Sequence, residues 1–201
     1  MVKFSNSCWN FKLDEVNFYA YQLNVFSKEE CSKIIKTGKN KGLIDGTVFG
    51  EEFNLTRKNK KEIRDSKITW LYPNDDMDWV FRRCTDVITD LNNRFFKFDL
   101  YGFNEGFQFT NYKSPGGKYV RHIDRRAGCV VRKLSFSIQL TDPLKYKGGD
   151  LCLYDSEKKT IMEKSQGAII VFPSYVVHGV EPVTKGERNS LVSWVTGPSF
   201  K

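Results

Sequence analysis

Long apolar runs are missing from this sequence. The strongest, Ala168 to Phe172, is far below the roughly 20 residues of a spanning helix, and the opening MVKFSNSCWN lacks the apolar centre of a secretion signal. A cytoplasmic protein without membrane attachment is the expectation. Cysteine is sparse and unpaired in pattern: Cys8, Cys31, Cys84, Cys129 and Cys152 are odd in number, widely spread and include no CxxC. That excludes a disulfide framework and a zinc finger and leaves reduced core thiols. Acidic residues fall short of basic ones, 24 against 32, for a net charge of +8. Such an excess permits attraction to nucleic acid, an anionic membrane or acidic substrates, and demonstrates none of them.

Hydrophobic residues make up 40% of the 201, enough for a sizeable core, so disorder is excluded as the main state. No repeat, low-complexity tract or composition break divides the chain, which reads as a single domain over 1–201. Its front, about 1–98, carries helical signals. Ser27 and Glu30 form a capping-box pattern before Cys31, Ile34 and Ile35, a helix ending near Gly38 or Gly42. A second helix follows Asp75 and Asp76, with Met77, Val80, Phe81, Cys84, Val87, Ile88, Leu91 and Phe95 recurring at threes and fours as a core stripe. Between them the basic stretch TRKNKKEIR (Thr56 to Arg64) has no sustained period and reads as a solvated loop or a lid over a substrate.

From about 99 to 198 the character changes to short β-like runs: YGFNEGFQFTNY, KYVRHID, KLSFSIQLTD, GDLCLYD, TIMEK, GAIIVFP, VVHGVEP and NSLVSWV. Short separators rich in Gly, Pro and Asp predict an antiparallel sandwich or barrel with helices outside one sheet, a mostly β architecture of the α+β type.

The only two histidines, His122 and His178, both fall in this half. His122 and Asp124 stand at i and i+2, which on a strand share a face, so the pair can grip one metal ion. His178 would complete two imidazoles and a carboxylate, the set that leaves positions open on a non-haem Fe(II) centre. Arg188 follows His178 by ten residues. If Val183 to Glu187 is a hairpin connection, Arg188 lies on the face of His178, about 13 Å along the sheet at roughly 3.3 Å per residue. A small dicarboxylate could then chelate metal at one end and meet a guanidinium fork at the other. Ser190 keeps the same parity. Alternation also turns one of Arg125 and Arg126 toward the cleft, either as a substrate contact or as solvated charge, and Trp70 and Trp194 line the pocket or the core. Gly148 and Gly149 serve a tight turn, since no phosphate-loop pattern surrounds them.

HxD, a second His, then Arg and RxS resembles the Fe(II) and 2-oxoglutarate-dependent dioxygenases, on their prolyl-hydroxylase-like branch. The likeness extends over IRDSKITWL, FTNYKSPGGKYVRHID, KLSFSIQLTDP, GGDL and GAIIVFPSYVVHGVEPVTKGERNSLVSWVTGP, residues 63 to 198. It implies a double-stranded β-helix core, a jelly-roll relative, with Fe(II) on His122, Asp124 and His178. It implies that Arg188 anchors the distal carboxylate of 2-oxoglutarate, with Tyr112 and Ser190 joining it. By that resemblance, O2 and 2-oxoglutarate are consumed, succinate and carbon dioxide released, a C–H bond hydroxylated, and ascorbate admitted as an accessory reductant. A protein or peptide prolyl residue is the preferred substrate. Nucleic-acid demethylases of the superfamily carry a second arginine six residues after the first, where this chain has Trp194. A nucleic-acid oxygenase, less favoured, a small-molecule oxygenase and a non-catalytic jelly-roll metal-binding module remain as alternatives, and the oligomeric state stays open.

Overall fold

Short alternating runs can bury their apolar side chains only by pairing into sheets that stack on something. The computed structural model describes residues 15–48, 57–74, 76–125 and 130–199. In chain order its elements are β1 (Ala20–Gln22), α1 (Lys28–Asn40), β2 (Ile44–Asp45), α2 (Arg57–Ile63), β3 (Arg64–Asp65), β4 (Lys67–Leu71), α3 (Asp78–Leu91), β5 (Gly102–Phe103), β6 (Phe107–Lys113), β7 (Lys118–His122), β8 (Arg132–Gln139), β9 (Tyr146–Gly148), β10 (Leu151–Asp155), β11 (Lys158–Ile161), β12 (Ile169–Pro173), β13 (Val177–Val180) and β14 (Val183–Thr196). A π-helical turn, Asn92–Phe96, prolongs α3.

Two antiparallel sheets result. The larger runs β1-β12-β8-β14-β6-β4-β2, with β5 and β9 also paired to β14, and the smaller runs β11-β10-β13-β7-β3. This is the mostly β, jelly-roll-type arrangement that the sequence predicts. Among the described residues no helix is long and apolar enough to cross a membrane.

Alternation sets the layers. On β8, Leu134, Phe136 and Ile138 join the helix-side core, while Ser135 and Gln139 bond to groups between the sheets. β14 repeats the pattern, with Leu191 and Val195 toward the helices and Arg188, Ser190, Val192 and Trp194 toward a cavity. Cys31 and Ile34 of α1 and Val80, Phe81, Cys84, Ile88 and Leu91 of α3 cover Phe107 and Phe109 of β6. Each such burial contributes about 1.5–3 kcal/mol. Cys31, Cys84 and Cys152 are buried free thiols, and burial pushes the Cys31 thiol up to about 12; Cys8 and Cys129 lie outside the described residues.

The capping box forms: the Glu30 N–H donates to Ser27 Oγ at 3.2 Å, and the Ser27 N–H to Glu30 Oε2 at 2.8 Å. Glu30 also pairs with Arg83 at 2.6 Å, tying α1 to α3. Gly38, one of the two expected stops, is instead inside α1 and buried, because a side chain there would strike Phe109. The helix ends at Asn40, before Gly42 at φ +88°. α3 starts at Asp78, later than expected: Asp76 lies in the preceding turn, where Asn74 Oδ1 accepts the N–H groups of Asp76 and Met77, and Asp75 is outside the described residues.

Three expectations need correction. The basic stretch is not loop alone, since residues 57–65 form α2 and β3, elements too short to reveal a period. The front of the chain is not only helical support, because β1 to β4 all join the sheets. There is also no hairpin between His178 and Arg188. The supposed turn, Val183 to Glu187, is the start of β14, and the chain changes sheets at Glu181–Pro182, so the two residues approach one cavity from opposite walls.

A Cβ at position 38 would stand 2.4 Å from Phe109 Cγ. Gly38→Ala should therefore overpack the helix–sheet interface and cost about 1–3 kcal/mol. The check is a lower urea midpoint with an unchanged slope.

Candidate active site

Between the sheets lies a cavity of about 360 Å³, lined by residues of both walls. The smaller sheet contributes the histidines. His122 on β7 and His178 on β13 are direct partners across the ladder, and Asp124 follows in a bend just after β7 ends. One ligand atom from each of the three lies within 4.8 Å of the others.

Backbone carbonyls orient both rings. His122 Nδ1 is 2.8 Å from the Val120 carbonyl oxygen and His178 Nδ1 2.9 Å from that of Val176. A carbonyl only accepts, so each Nδ1 carries the proton and each Nε2 faces the shared point. There His178 Nε2 is 3.2 Å from Asp124 Oδ2, and His122 Nε2 is 3.7 Å from Asp124 Oδ1. Burial alone would push the Asp124 carboxyl up, but the imidazoles of His178 and His122 hold it well below the usual range. For His122, burial and then the neighbouring His178 charge bring the imidazole down to about 4, so it is neutral near pH 7. Burial opposes charge on His178 too, yet the Asp124 carboxylate raises it overall. Two Nε2 atoms and an ionised carboxylate fit a divalent cation, which would displace whatever proton His178 Nε2 holds.

A β-bulge prepares this arrangement. The β7–β13 register passes from His178↔His122 to Val180↔Tyr119, so Val120 and Arg121 together oppose Gly179. A side chain at 179 would meet the Tyr119 carbonyl oxygen at 2.9 Å, so Gly179 makes room for the extra residue. Tyr119 consequently shares the inner face with His122, three positions away, and their rings stack at 3.7 Å. The guanidinium of Arg64 covers Tyr119 at 4.6 Å.

The larger sheet contributes Arg188, only 2% exposed. Its Nη2 donates to Gln139 Oε1 at 2.9 Å and its Nη1 to Ser190 Oγ at 3.3 Å, and it lies 5.5 Å from the Tyr112 ring. Nε has no partner, and among the described residues no carboxylate pairs with this guanidinium. A buried cation with unused donors, facing a cavity, fits a carboxylate ligand.

The cavity thus brings together His122, Asp124, His178, Arg188, Tyr112, Ser190, Trp70 and Trp194. Trp70 and Trp194 lie 6.2 Å apart, and Trp194 is near enough to Asp124 to help lower its pKa, although its N–H makes no hydrogen bond of normal geometry. Arg125 does not join them. β7 ends at His122, so alternation does not carry to 125, which is exposed and off the cavity wall; Arg126 lies outside the described residues.

Several polar residues of the site escaped the sequence reading. Ser135, Ser137 and Gln139 alternate with Leu134, Phe136 and Ile138 on β8, and that polar period was the available signal. Arg64 gave none. It donates to Ser66 Oγ, the Thr47 carbonyl and Gln108 Oε1 at 2.8, 3.0 and 2.7 Å, linking β3 of one sheet to β6 of the other. Arg132 donates to Glu105 through Nε and Nη2 at 2.6–2.9 Å and to the Asp124 carbonyl through Nη1 at 3.3 Å, and lies 3.6 Å from the Trp194 ring.

Comparison with known proteins covers the same part of the chain. The 2OG-Fe(II) oxygenase superfamily model matches residues 107–196, a span that holds His122, Asp124, His178 and Arg188. A PKHD-type hydroxylase of Shewanella baltica is 27% identical over 178 residues, covering 86% of this chain and 75% of that protein. A Pseudomonas putida prolyl-4-hydroxylase shares the fold with a TM-score of 0.68 at 21% identity, over 90% of this chain and 94% of that one. A prolyl hydroxylase from Trichoplax adhaerens, solved with a peptide fragment of the hypoxia inducible factor oxygen degradation domain, shares it at 0.73 and 18% identity, over 90% and 84%. With a His-Asp-His cluster and a buried arginine on one cavity inside the matched span, the chain is similar in sequence, fold and site to the 2OG-Fe(II) oxygenase superfamily and to its prolyl-hydroxylase-like enzymes.

Proposed function

We propose that this oxygenase hydroxylates a prolyl residue of a protein or peptide. The observation that carries the reading is Arg188, a buried guanidinium without an acidic partner among the described residues, on the same cavity as the His-Asp-His cluster. A bare metal-binding module has no use for it.

In this reading His122, Asp124 and His178 hold Fe(II), and Arg188, with Tyr112 and Ser190, holds the distal carboxylate of 2-oxoglutarate. Bound together, iron and cosubstrate let O2 insert one oxygen atom into a C–H bond while 2-oxoglutarate loses carbon dioxide and becomes succinate. The protein's own part is placement. The Val120 and Val176 carbonyls keep both Nε2 atoms aimed at one point. Gln139 and Ser190 hold two guanidinium nitrogens, so the remaining donors are ordered before a carboxylate arrives. Trp70 and Trp194, 6.2 Å apart on the cavity wall, supply apolar surface that suits a pyrrolidine ring and excludes water from it. Support for a prolyl substrate comes from this pair and from the peptide seen on the Trichoplax relative. One catalytic domain over 1–201 is part of the proposal, because the helix layer is buried on the sheet that carries Arg188.

His178→Ala should weaken metal binding at least tenfold and abolish succinate formation, measured by metal titration and by succinate release. Arg188→Ala should spare the metal yet raise the 2-oxoglutarate requirement by about 100-fold, as expected when a buried carboxylate loses its charged partner. A kinetically silent Arg188→Ala would refute the cosubstrate assignment. Substrate class is read by mass spectrometry of candidate proteins: gain of one oxygen on proline supports the proposal, whereas methyl loss from nucleic acid with no proline product overturns it.

A further inference from the structure

Asp124 is held by more than its histidines. Ser135, on β8, has its Oγ 2.8 Å from Asp124 Oδ2 and 3.0 Å from Ser174 Oγ. Both serines are fully buried, and Asp124 is 7% exposed. An ionised carboxylate can only accept, so the single hydroxyl proton of Ser135 goes to Oδ2. Ser174 must then donate to Ser135, which gives one direction: Ser174 to Ser135 to Asp124. The same Ser174 accepts, on its carbonyl oxygen, the backbone N–H groups of Asp124 at 3.0 Å and Arg125 at 3.2 Å, while its own N–H donates to the Lys133 carbonyl at 3.0 Å. Ser135 sits opposite Phe172 on β12 and Trp194 on β14, in the middle of the larger sheet.

We propose that Ser135 and Ser174 are positioning residues for the metal site, a two-hydroxyl relay that fixes the Asp124 carboxylate and occupies one of its two oxygens. The proposal rests on the metal-binding reading of His122, Asp124 and His178. Its physical content is a constraint on rotation. Asp124 follows the end of β7 and has no ladder partner of its own, so without the relay its carboxylate is left to the two imidazoles and the nearby Trp194 indole. With it, the ligand on the smaller sheet is pinned to the rigid centre of the larger one, as outer hydrogen bonds commonly do for metal-ligating carboxylates. The relay also separates the two oxygens. Oδ2 receives Ser135, whereas Oδ1 receives no protein hydroxyl or backbone N–H among the described residues.

The test is Mn(II) titration of the full chain, with free Mn(II) read by electron paramagnetic resonance, on wild type, His178→Ala, Ser135→Ala, Ser174→Ala and the Ser135→Ala/Ser174→Ala double variant. Thermal unfolding of each metal-free protein accompanies it. Ser135→Ala should weaken Mn(II) binding by about 10- to 100-fold. Ser174→Ala should weaken it by a smaller factor, and the double variant should bind like Ser135→Ala alone, because the outer serine acts through the inner one. Failure of wild type to take up one Mn(II) per chain, or equal binding by His178→Ala, would overturn the metal-site reading itself. Normal wild-type binding with Ser135→Ala within about twofold of it, or with independent, additive losses in the double variant, would overturn the relay alone. If Ser135→Ala does not fold, Ser174→Ala decides: an affinity within about twofold of wild type rejects the relay, and weaker binding without a matching loss of thermal stability upholds it.

Discussion

A guanidinium kept out of water between two β-sheets is costly unless dipoles surround it, and much of the inner wall answers that single demand. Arg188 stands opposite Tyr112 on β6, and Ser190, two residues on, stands opposite Gln139 on β8. The three strands therefore deliver a ring face, a hydroxyl and an amide oxygen by register, without help from a flexible loop. Even the backbone yields: Gly149, at φ +62°, passes so close that a side chain there would approach Arg188 Cδ at 3.2 Å. The ordering is paid for by folding, so a carboxylate ligand meets donors that no longer need to be organised.

The opposite wall carries the complementary problem. Asp124 is buried between two imidazoles, and the cluster is balanced so that His122 stays neutral while His178 leans toward the carboxylate. One sheet thus supplies the place for a cation and the other the place for an anion. The cavity between them spans both, and Arg64, bonded to Gln108 across the gap, helps fix their separation.

Much of this was legible because it obeys period two. His122, the parity of Ser190 with Arg188, and the alternating strands from β6 onward could be read from spacing, and the capping box at Ser27 announced α1. The relation between His178 and Arg188 was legible only as a consequence. A hairpin and a change of sheet both bring the arginine to the cavity, and spacing along one strand cannot tell which neighbours a strand will choose. Two-residue strands such as β3 fall below any periodic signal, so Arg64 was hidden inside a basic stretch that looked merely solvated. Gly38 misled for a related reason. A glycine near a helix end can mark a stop or a close approach, and the Phe109 ring that decides the matter lies on a strand distant in sequence.

The bulge opposite Gly179 shifts the phase of β7 by one residue. Tyr119 and His122, which regular pleating would send to opposite sides, end on the same one, and Val120 and Arg121 are both left exposed. The strand therefore carries two independent texts, one for pairing and one for chemistry, spliced at a single unpaired residue. Removing that residue would leave a perfectly acceptable ladder whose aromatic wall had turned its back on the metal ligands, so this segment is where the protein's foldability and its function can come apart.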